Sequence, residues 1–95
     1  MDEETKIALA RLVALASEDT GGSRVAANFL LAWWNAAELG GFDPTEMWLL
    51  DELGVRDLLQ VAGFIGRNNV YPDALIGREA ILGLIARWRG RVATD

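Results

Sequence analysis

Between Val25 and Ala37 the chain reads VAANFLLAWWNAA, a run whose only polar side chains are Asn28 and Asn35. Wound as an α-helix, such a run is apolar around nearly its whole circumference and has to be covered on several sides. Phe29 and Trp33 stand four residues apart on one face, and Leu30 and Trp34 repeat that spacing on the next. Two aromatic seams must therefore be filled by other parts of the chain. The run is too short to cross a bilayer and is bounded by Ser23, Arg24 and Glu38, which makes it a buried core helix and not a membrane span. Everything else in the sequence is then a coat around a central helix spanning about 23–39.

The flanking segments have the period needed for that coat. Leu9, Leu12, Val13 and Ala16 recur at i, i+3, i+4 and i+7 in a first helix from about Glu3 to Ala16, with Ile7 and Leu15 widening its apolar face. Asp2 or Glu3 stands near its N-cap, and the acids of its first turn suit the helix dipole. Ser17 to Gly22 (SEDTGG) turns the chain back. Thr20-Gly21-Gly22-Ser23 lacks the spacing and the lysine of a phosphate-binding loop and reads as a plain turn, with Ser23 as N-cap of the central helix and Gly40 at its end.

Asp43-Pro44-Thr45-Glu46 is a strong helix start: an Asx cap, proline at the first position and a carboxylate in the first turn. A short helix is predicted from there to about Leu53, ended by Gly54. Met47, Leu49, Leu50 and Leu53 form its apolar side, and Trp48 falls on the polar side with Asp51 and Glu52. A fourth helix follows from Val55 or Arg56 to Arg67, in which Gly63 and Gly66 suggest close approach of another backbone or an early end. Asn68 to Asp73 reads as a loop with room for a brief β-bridge, because proline biases Tyr71 away from helical angles. The last helix begins at Asp73 or Arg78 and runs to Arg89, placing Ile81, Leu84, Ile85 and Trp88 on one stripe. Val92 to Asp95 should fray. The expectation is one all-α domain over residues 1–95, a compact bundle of four to five helices, with Phe29, Trp33 and Trp88 in its core. Trp34 and Trp48 are left open between core and interface.

Composition narrows the chemistry. The chain has neither histidine nor cysteine, which removes disulfides, thiol nucleophiles, the common transition-metal sites and the usual general base. The paired acids Asp51/Glu52 and Asp43/Glu46 sit at a cap and on a charged face, and no loop has the alternating acids of a calcium site, so neither catalysis, a metal nor a cofactor is expected. The opening MDEETK is acidic where a secretory signal is basic, and a cytoplasmic protein is expected. Residues 1–57 hold eleven acids against four bases, net −7, whereas residues 58–95 hold three acids against five arginines, net +2. That balance opposes direct nucleic-acid binding and favours a protein partner with a basic surface.

Trp33-Trp34, Gly40-Gly41-Phe42-Asp43, Tyr71-Pro72-Asp73 and Arg87-Trp88-Arg89, with Asp19-Thr20-Gly21 and Ser23-Arg24, carry a resemblance over roughly Ala8 to Gly90. On these words the chain resembles a group of small uncharacterised proteobacterial proteins, often carried on prophages and integrative elements. The resemblance implies a genomic setting and no activity. Small acidic proteins of such elements include inhibitors of bacterial defence systems, anti-CRISPR proteins among them, and the analogy extends no further than that.

Two functions follow as expectations. The first is a non-enzymatic binder that uses Trp48 as an aromatic anchor within a rim of Glu46, Asp51, Glu52 and Asp57 to occlude a basic partner. The second is a structural or self-associating module, homodimeric through surplus apolar surface. Salt separates them, since screening weakens the first and spares the second. Should the anchor lie elsewhere, Trp34 or the arginine-rich end at Arg87, Arg89 and Arg91 is the next place to look.

Overall fold

The computed structural model of the chain describes residues 1–90. Within them are α1 (Glu3–Ala16), α2 (Gly21–Leu39), a six-residue 3-10 helix (Pro44–Leu49), α3 (Glu52–Arg67), α4 (Asp73–Ile76) and α5 (Arg78–Arg89). Over the described residues the fold is all-α, with four long helices and two short helical segments. Arg91 and the tail Val92 to Asp95 lie outside the described residues.

The layers follow from the apolar stripes. α1 packs between α2 and α3, α2 meets α1, α5 and the 3-10 helix, and α4 folds onto α5. Leu9, Leu12 and Ala16 of α1 face Ala26, Leu30 and Leu31 of α2 in one core, which α3 completes with Leu58 and Val61 and α5 with Ile81, Leu84 and Ile85. Each such leucine or isoleucine contributes roughly 1.5–3 kcal/mol by leaving water. Ile7 departs from the expected stripe: it is 44% exposed, pointing away from α2. No helix among the described residues is long and apolar enough to cross a membrane.

Several joints differ from the sequence reading. Thr20, not Ser23, caps α2: its Oγ1 accepts the Ser23 N–H at 2.9 Å, and the two hydroxyls are 2.7 Å apart. Ser23 is fully buried, so its hydroxyl is used up by that bond. α2 is also broken at Asn35, whose backbone (φ −161°, ψ 80°) leaves the helix while its Oδ1 accepts the N–H of Glu38. Apart from Leu39, the buried residues of α2 all lie between Ser23 and Leu31, and Asn35 to Glu38 lie in solvent.

The segment after Asp43 ends at Leu49 because Asp51 opens a new helix. Asp51 Oδ1 accepts the Gly54 N–H at 2.7 Å, so Gly54 belongs to the first turn of α3 and terminates nothing. A Cβ on Gly54 would stand 3.2 Å from both Asp51 Oδ1 and Leu50 Cβ, which explains why glycine suits this turn. Gly63 and Gly66 have no such neighbour: a Cβ on Gly66 would meet open space, and on Gly63 only the Arg67 guanidinium. The loop before α4 carries no bridge. Both expected starts of the last helix exist, because Gly77 (φ +90°) separates α4 from α5.

Phe29 is buried and meets Phe42 edge-on, with ring centroids 5.4 Å apart at 78°. Trp33 and Trp88 are half-buried at the margin of the core instead of enclosed by it. The reason is the indole N–H, which needs an acceptor that an aliphatic interior does not provide. Trp33 Nε1 donates to the Val70 carbonyl at 2.9 Å, and Trp88 Nε1 to that of Ala16 at 2.7 Å. Trp34 is likewise half-buried against the core.

Candidate partner-binding surface

Asp43 caps the 3-10 helix, accepting the Thr45 N–H and the Thr45 hydroxyl at 2.9 Å each. Those two bonds, N–H first, hold its carboxyl below the usual aspartate range. Asp51, capping α3 two residues after Leu49, fixes the other end. Between the two caps Met47 and Leu50 turn inward, and six residues of tight 3-10 helix cannot bury both sides. Trp48 is left 83% exposed and Leu49 54% exposed, with Leu53 46% exposed in the first turn of α3. This apolar knuckle is held rigidly at both ends.

The expected acidic rim is only partly there. Asp51 and Glu52 are exposed beside the knuckle, although one oxygen of Asp51 is occupied by its cap. Glu46 is half-buried and bonded inward: its Oε1 accepts from Asn28 Nδ2 at 3.1 Å, and Asn28 Oδ1 accepts from Arg89 Nη2 at 2.8 Å. Asp57 has to be removed from the rim. It is 5% exposed and holds Arg11 in a two-bond ion pair, Nε to Oδ2 at 2.8 Å and Nη2 to Oδ1 at 2.9 Å. That bonding raises the pKa of the Arg11 guanidinium. Asp57 shares the buried stripe of Gly54, Leu58 and Val61, a placement its spacing in α3 could have signalled.

Arg87 and Arg89, the described arginines of the arginine-rich end, are committed to the fold. Arg87 donates through Nε and Nη2 to the Glu18 carbonyl and lies 5.6 Å over the Trp88 ring. Arg89 donates to the carbonyls of Leu39 and Trp88. With Trp88 on Ala16, the word Arg87-Trp88-Arg89 satisfies carbonyls at the C-terminal ends of α1 and α2, which no helix of their own can bond. Gly40 and Asp43 of the GGFD word likewise end one helix and cap the next.

Concavities indent the surface formed by the described residues. A cleft of 450 Å³ is lined by Trp33, Ile65, Arg67, Asn69 and Tyr71 at the end of α3. One of 430 Å³ lies between α1 and α5 beside Val13, Glu79 and Arg87. A third, of 360 Å³, runs between α1 and α3 with Ile7 and Leu53 as walls. Among the described residues no three acids converge in a way that could hold a metal ion. Sequence reasoning missed the exposure of Ile7, Leu49 and Leu53, because each was read as part of an apolar stripe.

Comparison with curated proteins and with solved structures finds no match to the chain. Residues 6–89 do match a family, close to the span over which the sequence words carried a resemblance. The chain belongs to the family of unknown function DUF7673.

Proposed function

We propose that this protein is a non-enzymatic protein-binding module that sets Trp48, with Asp51 and Glu52 beside it, against a basic surface of a protein partner. One observation carries the reading: an indole 83% exposed, on a segment capped at both ends, has no role in the core. Leaving it in water is unfavourable for the free chain, and its burial in a partner's pocket recovers that area with little loss of conformational freedom. The half of the chain that contains it carries the negative charge, which steers a basic partner into contact. In keeping with the resemblance of its sequence words, we place the protein in the cytoplasm of a bacterium hosting a phage or mobile element. There it acts by occluding the nucleic-acid-binding surface of a defence complex, as anti-CRISPR proteins do.

The test is capture from the native host with tagged wild type, Trp48→Ala and Glu52→Lys, read by mass spectrometry at low and high salt. A partner held by wild type, lost with Trp48→Ala and only weakened by Glu52→Lys or by high salt is the expected result. Capture that survives both substitutions moves the interface elsewhere. Asp51→Lys is avoided because it also strips the cap of α3.

A further inference from the structure

The groove between α1 and α3 has walls and a floor of different character. Ile7 on α1 and Leu53 on α3 leave 44% and 46% of their surfaces in water on its two sides. The polar groups of the floor bond one another: Arg11 takes both oxygens of Asp57, and Gln60 Nε2 donates to the Thr5 hydroxyl at 2.9 Å. Glu4 and Arg56 line its edges as well, so the groove is amphipathic and suits a planar apolar group that carries a polar N–H, such as an indole. Its 360 Å³ lies at the small end of the range of roughly 300–1,000 Å³ for ligand sites, enough for an indole. On the rim Arg56 has no carboxylate partner within the described chain, and Glu52, one turn earlier on α3, has no cation.

We propose that a second copy of the chain fills this groove with its Trp48, and receives the first copy's Trp48 in return. Three features select that occupant. Its exposed indole has the apolar, planar chemistry that the walls require. Leu53 is a wall of the groove and lies only five residues after Trp48, so a two-fold axis passing beside Leu53 allows each copy to give and to receive, as an isologous interface demands. With the axis perpendicular to α3, the two α3 helices run antiparallel, and Glu52 of each then meets Arg56 of the other, pairing the charges that are unpaired in one chain. The inference rests on the reading of Trp48 as a contact residue and adds regulation to it: the dimer hides the anchor, and a partner has to compete for it.

With two indoles and two exposed ion pairs to hold it, the dimer should form at micromolar concentrations and above. Sedimentation velocity on the full chain, from about 5 to about 500 µM, should show a sedimentation coefficient rising with concentration. Trp48→Ala and Ile7→Lys should each raise the dissociation constant about tenfold or more, with unchanged circular dichroism. Glu52→Arg should weaken the dimer, and Glu52→Arg combined with Arg56→Glu should restore it, which only reciprocal pairing across the axis accounts for. A chain that stays monomeric throughout overturns the proposal, as does a dimer indifferent to Trp48 and Ile7. The two readings fail separately. A monomer whose host partner is lost with Trp48→Ala refutes the dimer alone; a dimer broken by Trp48→Ala, with host capture untouched, refutes the proposed partner contact alone.

Discussion

Breaking the Arg11–Asp57 pair from its two ends should give unequal results. The Asp57 side chain is 7% exposed and that of Arg11 49%. Arg11→Ala removes both donors from a carboxylate that water scarcely reaches, and stranding a buried charge costs roughly 3 kcal/mol. A domain of this length holds only about 5–15 kcal/mol in total, and each kcal/mol moves its melting temperature by about 4–8 °C. The stranded Asp57 should therefore lower the Tm by on the order of 10–20 °C. Asp57→Ala strands a guanidinium that is already half in water and can hydrate fully, so its Tm should fall by less than half as much. Replacing the pair together, Arg11→Met with Asp57→Leu, removes the charge and keeps the packing, and should melt closer to wild type than Arg11→Ala does. Thermal melts followed by circular dichroism at 222 nm give all four values. If Asp57→Ala melts at or below Arg11→Ala, solvent access does not set the cost and the reasoning is wrong.

Other perturbations separate the core from the surface. Phe29→Ala should cost on the order of 3–5 kcal/mol in urea unfolding, as the loss of a buried aromatic does, whereas Trp33→Phe should cost about 1 kcal/mol, chiefly the bond to the Val70 carbonyl. Trp48→Ala should leave the Tm within a few degrees of wild type, and a large drop would mean that the indole supports the fold. Asp2, held low by Thr5 through its hydroxyl and then its N–H, and Asp43, held low by Thr45, have folded pKa values beneath their ordinary 3.8. Their contribution is complete above that value and is lost as pH falls through the folded pKa. Urea midpoints from about pH 5 to about pH 2 should fall for wild type, and less steeply for Asp43→Asn, which caps without titrating; parallel curves would deny Asp43 this role.

What the sequence made legible is what acts within about four residues. The stripes Leu9-Leu12-Ala16 and Ile81-Leu84-Ile85 needed only the helical period, and the Asp43 cap only the Thr45 N–H two residues on. The choice of Thr20 over Ser23 was not legible, since both are hydroxyls and the difference is that tertiary packing buries Ser23. Asp51 was read as surface charge because a carboxylate ahead of Glu-Leu-Gly looks the same as a rim acid and as a cap until the helix start is placed. The half-burial of Trp33 and Trp88 depended on carbonyls 37 and 72 residues away.

The acidic rim shows the same limit more sharply. A sequence assigns a charge to each carboxylate but not the group that binds it. Arg11 neutralises Asp57 across 46 residues, and Asn28, itself bonded to Arg89, takes Glu46 across 18. Of the five residues expected to meet a partner, Trp48 and Glu52 are uncommitted, and Asp51 keeps one oxygen free. A surface with so little unbalanced charge steers an encounter but cannot hold one, because exposed ion pairs contribute at most about 1 kcal/mol each. Affinity at this site must then come from the indole. That is why the salt dependence of binding should be shallower than the net charge of the chain would suggest, while the loss on Trp48→Ala should be steep.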